Sequence, residues 1–134
     1  EIMGVSLVDA EVWKWLYNNP GTNAEQLKNK VIEIAEDVWN RYYAGVFGLR
    51  DEPVLAIYSH MISYPLYLSA YPLGHLIEFQ VEDYASDKNI AEELHRMLVA
   101  GSVTPQHWMK LAVGKELSVE PMLKAVDEAM DVLW

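Results

Sequence analysis

The chain has 134 residues, about half of them apolar, with five Trp and eight Tyr to fill a core, so a folded domain or part of a larger one is expected. The formal net charge is −10, without a cluster of Lys and Arg, which argues against nucleic acid and against an anionic membrane surface as partners. No apolar stretch approaches the roughly 20 residues of a membrane span. The absence of cysteine excludes disulfides and thiolate zinc sites.

The first third of the chain predicts two helices. Ser6 and Asp9 have the spacing of a capping box at the start of the first helix, which ends at the Asn-Asn-Pro-Gly breaker cluster of residues 18–21. Thr22 and Glu25 form a second capping box. Apolar residues then recur at steps of three and four, which predicts an amphipathic helix ending near residue 45 or 48: Leu27, Val31, Ile34, Val38 and Tyr42.

The middle of the chain predicts a long helix from Ser63, its cap, to about Asp83. Pro72 falls inside this helix, where it removes a backbone hydrogen bond and meets the carbonyl of Leu68, so a kink is expected there. Residues 73–81 are apolar on most sides. The pattern therefore predicts a central, buried, Pro-kinked helix.

Three more helices complete the prediction. They begin at Asp87 or Asn89, at Thr104 and at Ser118, each a residue type that caps helices. No strand-like alternation and no internal repeat is found. The prediction is an all-α fold of about six to seven helices, in a single domain over residues 1–134.

The candidate site residues lie around the start of the middle helix. Tyr64, Tyr67 and Tyr71 are spaced by three and four residues, which aligns them along one helical face, and His60 lies just before them. Phenol hydroxyls beside an imidazole can donate hydrogen bonds to a peptide carbonyl or to an oxyanion. The alternative is that an aromatic stripe at helical spacing belongs to the core.

A second pattern concerns His75, Glu78 and Glu82, which lie one helical turn apart. This spacing can place an imidazole and carboxylates on one face, as in carboxylate-bridged metal sites. A His-Glu-x-x-His motif is missing, because residues 75–79 read HLIEF. The sequence favours a histidine hydrogen-bonded to a nearby carboxylate, with a metal site as the alternative.

The order of residues around the tyrosines resembles a known family. His60 followed by YPLYLSAYPLG at 64–74 is similar to the stretch after the zinc site in the oligoendopeptidase F and thimet oligopeptidase family, and the helix through Phe79 and Gln80 also resembles that of angiotensin-converting enzyme. The segments LVAGS (98–102), LAVG (111–114) and LSVEP (117–121) resemble the closing helices of the oligoendopeptidases. The resemblance covers about residues 60–126.

The resemblance implies that the chain is the C-terminal part of a larger zincin-like helical catalytic domain, whose parent hydrolyses peptide bonds with zinc. His60 and Tyr64 would contact the substrate, and Tyr71 would donate a hydrogen bond to the oxyanion. Tyr67 is a second candidate donor, one residue out of step with the Tyr-x-x-Tyr of the relatives because Leu68 stands three residues before Tyr71.

The same resemblance makes the zinc-binding segment an upstream part of the parent, so no metal ligand is assigned to this chain and the chain alone is expected to be inactive. Its expected partners are a peptide substrate and the remainder of the parent domain. As an isolated piece it is expected to form a homodimer, which covers apolar faces. The alternative is a stand-alone, non-catalytic helical module for protein interaction.

Overall fold

A computed structural model describes residues 2–133, and within them the fold is all-α, as predicted, with eight α-helices and no strand. Three long or medium helices and two short ones precede residue 86, and three follow. The helices are α1 (Ile2–Asn18), α2 (Ala24–Tyr42), α3 (Ala44–Phe47), α4 (His60–Ser63), α5 (Ala70–Ala85), α6 (Ile90–Leu98), α7 (Pro105–Val113) and α8 (Glu120–Leu133), with 3₁₀ turns at Pro53–Ala56 and Tyr67–Ser69.

The chain forms two compact units, one up to Pro72 and one from Leu73 onward. The prediction of a single domain over 1–134 stays a prediction. None of the helices in the described part of the chain is both long enough and apolar enough to cross a bilayer.

In the first unit, α1 packs on α2 through its valines. Val5, Val8 and Val12 are spaced by three and four residues and are almost fully buried, against Ala35 and Val38 of α2. Leu55, Met61 and Leu68 close the same core from the segment that follows. On the predicted apolar face of α2, Val38 is buried and Leu27, Val31 and Ile34 pack against this core, whereas Tyr42 at the end of the helix is 58% exposed.

Both N-terminal caps predicted in this unit differ from the structure. Since α1 already extends from Ile2, Ser6 and Asp9 lie inside it, where both are buried. The capping box of α2 is formed by Asn23 and Gln26: the Gln26 N–H donates to Asn23 Oδ1 at 2.9 Å and the Asn23 N–H donates to Gln26 Oε1 at 3.0 Å. Thr22 does not cap, because its hydroxyl donates to the carbonyl of Asn19 in the preceding turn.

The long helix predicted from Ser63 does not form as one piece. Ser63 is the last residue of the short helix α4, and α5 begins only at Ala70. Pro65 explains the break, since a proline disfavours the helical conformation of the residue before it, and Tyr64 has left that conformation with φ −142° and ψ 72°. Pro72 lies in the first turn of α5, where its missing N–H costs no helical hydrogen bond.

In the second unit, Met97 of α6 packs against Met109, Ala112 and Val113 of α7. On α5 the buried residues are Gln80 and Ala85, so this helix is less buried than its apolar sequence predicted. Gln80 holds the loop before α8: its Nε2 donates to the carbonyl of Glu116 at 2.8 Å, and the N–H of Ser118 donates to its Oε1 at 3.0 Å. The Ser118 hydroxyl accepts from the N–H of Glu120, the first residue of α8, at 3.1 Å.

Candidate functional site

Four residues that the sequence singled out come together in the first unit, and we call them the tyrosine cluster: His60, Tyr64, Tyr67 and Tyr71. The centre of the His60 ring lies 6.1 Å from that of the Tyr64 ring. It lies 6.3 Å from that of the Tyr67 ring, and the planes of the His60 and Tyr67 rings are only 17° apart. Tyr67 meets Tyr71 edge to face at 5.5 Å. His60 and Tyr71 thus both contact Tyr67, which occupies the centre of the cluster.

The tyrosine cluster is open to solvent. Tyr64, Tyr67 and Tyr71 are 63%, 50% and 42% exposed, and His60 is partly exposed. The alternative that these rings form a core stripe is therefore wrong. Because the break at residues 64–69 bends the chain, the rings gather around Tyr67 instead of following one straight helix face.

The 3₁₀ turn that carries Tyr67 is held in place by contacts with α1. The Ser6 hydroxyl contacts the carbonyl of Leu68 at 2.7 Å, and the Leu68 side chain is fully buried. Leu66 adopts a left-handed conformation with φ 62°, which is costly for a residue with a Cβ. The burial of Leu68 and its contact with Ser6 offset this cost and fix the position of Tyr67.

Asp9 lies under the same turn and was missed as a site residue, because its spacing from Ser6 suggested a helix cap. It is 1% exposed, and neither carboxylate oxygen completes a hydrogen bond within the described part of the chain. Burial raises the pKa of Asp9, while the nearby backbone N–H groups of Leu66 and Leu68 lower it by a smaller amount. A buried carboxyl therefore lies against the backbone on both sides of Tyr67.

The two inner tyrosines share a hydrogen bond. The pKa of Tyr71 is raised, chiefly because its side chain is hydrogen-bonded to Tyr67. A hydrogen bond raises the pKa of a phenol when that phenol keeps its proton and donates it. One of the two phenols donates to the other in this pair, which leaves the O–H of the accepting phenol to donate to a ligand.

The histidine and glutamates of α5 do not assemble a metal site. His75 Nδ1 and Glu78 Oε2 lie 3.2 Å apart, and both side chains are at least half exposed. This is the hydrogen-bonded pair that the sequence favoured. Nowhere in residues 2–133 do three His, Asp or Glu side chains lie close enough to hold a metal ion, so Glu82 does not complete a site with this pair.

Comparisons with protein-family models, with curated proteins and with solved structures give no match to this chain. The likeness to the oligoendopeptidases therefore rests on the residues quoted above.

Proposed function

We propose that this chain is the substrate-binding, C-terminal part of the catalytic domain of a zinc-dependent peptidase, and that the tyrosine cluster binds an extended peptide. One observation carries the proposal: His60 and Tyr71 meet through Tyr67 on an exposed surface, with phenol and imidazole groups side by side. The order of residues shared with the oligoendopeptidases supports it.

The cluster suits a peptide backbone because it offers donors of the right kind. A peptide carbonyl accepts a hydrogen bond from a phenol O–H, and the Tyr67–Tyr71 pair keeps one O–H for this. A phenol whose oxygen accepts from its neighbour is polarised and is a stronger donor than an isolated phenol. Tyr67 is the main donor in the proposal because it lies at the centre of the cluster, with Tyr71 as its support and His60 and Tyr64 as flanking contacts.

The proposal assigns zinc to none of the residues that the structure describes. The residues that the structure describes bring no set of three ligands together, so they do not fit the ion. In the proposal the zinc and its chemistry belong to the remainder of the parent catalytic domain. A peptidase assay on this chain is expected to give background rates, and activity abolished by a chelator would contradict the proposal.

The exposed apolar side of α8 supports a partner for this chain. No described residue of α8 is buried, and four large apolar side chains on one side of the helix are 47% exposed or more: Leu123, Val126, Met130 and Leu133. Such a face packs on the remainder of the parent or on a second copy. Light scattering after size-exclusion chromatography is expected to show a dimer, whereas a monomer favours the stand-alone interaction module.

The peptide-binding proposal is tested by titration of the purified chain with a capped, fluorescently labelled peptide of about eight residues, which spans about 26 Å when extended. Binding is read by fluorescence anisotropy. Replacing Tyr67 by Phe removes the donor and keeps the ring, so affinity is expected to fall by about 5- to 10-fold, the value of one hydrogen bond.

Tyr42→Phe is the matched control. Tyr42 is 58% exposed, comparable to the cluster tyrosines, and lies at the end of α2 outside the cluster. This variant is expected to bind like the unchanged chain. Equal affinities for Tyr67→Phe and Tyr42→Phe, or no binding by the unchanged chain, would refute the proposed function.

A further inference from the structure

An apolar cavity of about 620 Å³ lies in the first unit beside the tyrosine cluster. Its walls come from α1, α2 and the segment of residues 56–62, and its volume falls in the range of small-molecule and side-chain pockets. Val12 and Met61 are buried in its wall, while Ile62 at its edge is 87% exposed, so the cavity opens to solvent.

The cavity and the tyrosine cluster share an edge. Tyr58 lines the cavity, and its ring lies 6.5 Å from the His60 ring of the cluster. In an extended peptide, side chains on the same face are about 6.6 Å apart, two residues times the strand rise. A peptide whose backbone contacts His60 can therefore place a neighbouring side chain past Tyr58 and into the cavity.

The lining selects the chemistry of that side chain. Leu16, Leu27 and Val31 face it from the two long helices, and Lys28 is the one charged side chain among the described lining residues. A Leu, Met or Phe side chain loses its water contacts there and brings no polar group of its own into the cavity. A Lys or Arg side chain would meet the like charge of Lys28, and a small side chain would leave the cavity unfilled.

We propose that this cavity is the specificity pocket of the peptide site and takes one large apolar side chain of the bound peptide. The proposal rests on the peptide-binding function proposed for the tyrosine cluster and adds the class of peptide. Burial of one Leu side chain predicts that a peptide with Leu at the matching position binds about 10- to 100-fold more tightly than the same peptide with Ala.

The test uses that pair of capped peptides on the full chain, with the guest residue moved through each position of an otherwise Gly- and Ser-rich sequence. Ala24→Trp closes the cavity from its rim: Ala24 lines it, is exposed and begins α2, so a larger side chain there leaves the core intact. This variant is expected to lose the preference for Leu and to keep the affinity for the Ala peptide.

Ile62→Lys and Ile57→Lys form a matched pair. Both isoleucines are highly exposed, at 87% and 74%, but only Ile62 lines the cavity. A charge at residue 62 is expected to weaken binding of the Leu peptide about 5-fold or more, because it makes the cavity mouth polar. A charge at residue 57 is expected to leave the affinity unchanged.

The outcomes separate this proposal from the peptide-binding function. If neither peptide binds at any position of the guest residue, the peptide-binding function fails, and the pocket proposal fails with it. If both peptides bind equally and Tyr67→Phe weakens both, the function stands and the specificity pocket is refuted. A Leu preference that survives Ala24→Trp also refutes the pocket.

Discussion

Gly4 marks the closest approach in the first unit, and its replacement by Ala tests the packing of α1 against the end of α2. A Cβ at Gly4 would lie 2.8 Å from Cε2 and 2.9 Å from Cζ of Tyr43, and closer still to its hydroxyl. The Tyr43 ring has little room to move, because it stacks on Trp39 at 5.3 Å with the planes 14° apart. Trp39 is itself held by a hydrogen bond from its indole N–H to the carbonyl of Leu49.

Two opposing effects set how much Gly4→Ala changes the free energy of unfolding. Ala in place of Gly inside a helix stabilises by about 1 kcal/mol, whereas forcing a methyl group into a packed contact costs about 1–3 kcal/mol. Gly4→Ala is therefore expected to lower the free energy of unfolding by up to about 2 kcal/mol. In a Tyr43→Ala background the clash is absent, and the same substitution is expected to stabilise by about 1 kcal/mol.

The sign reversal is measured by a double-mutant cycle. Urea unfolding, followed by circular dichroism and tryptophan fluorescence, gives the free energy of unfolding of the four chains. Gly45→Ala is the control, because Gly45 has no atom within 4 Å of a built Cβ and is expected to be neutral or slightly stabilising. A coupling energy below about 0.5 kcal/mol would show that Gly4 and Tyr43 are independent and that the reasoning is wrong.

Three further predictions concern buried or multiply bonded polar residues. Burial raises the pKa of Asp9 above 3.8, so the folded state holds the Asp9 proton more tightly than the unfolded state and stability falls as the pH rises from near 3.8 through the raised pKa. Asp9→Asn should remove this decline when the free energy of unfolding is measured across pH. Equal slopes of stability against pH for the variant and the unchanged chain would contradict the prediction. Gln80→Leu should leave the N–H of Ser118 without its acceptor, which lowers the free energy of unfolding by about 1–3 kcal/mol and speeds hydrogen exchange at that amide. The control Glu82→Ala, at an exposed position, should leave this exchange rate unchanged. Arg96→Lys should lower stability by about 1–2 kcal/mol in thermal unfolding, because Lys lacks the fork with which Arg96 contacts Glu93 and the carbonyls of Leu111 and Ala112 in the last turn of α7 together. Full retention of stability would contradict this.

The sequence predicted where helices form more reliably than it predicted the residue at which each helix begins. The apolar positions of α2 recur at helical steps, and this pattern depends only on the residues of α2 itself. The cap moved by one residue, from Thr22 to Asn23, because several residues that can cap stand side by side before α2 and the turn geometry selects among them. Local spacing alone does not decide such a choice.

The candidate site was predictable in its members and not in its arrangement. His60, Tyr64, Tyr67 and Tyr71 were identified by residue type and order, on the assumption of a continuous helix. Tyr67 had a secondary role because it stands one residue out of step with the Tyr-x-x-Tyr of the relatives. The break after Ser63 places Tyr67 at the centre of the cluster instead.

By itself, the sequence determined the all-α class, most of the buried face of α2, and the set of residues that carry phenol and imidazole groups, since each of these follows from residue type and spacing. Only the tertiary structure decided which polar groups lie under the Tyr67 turn and where the apolar cavity opens. Ser6 and Asp9 are some 60 residues from Leu68, and no local pattern links them. Contacts between distant segments depend on the packing of whole helices, which short-range periodicity does not encode.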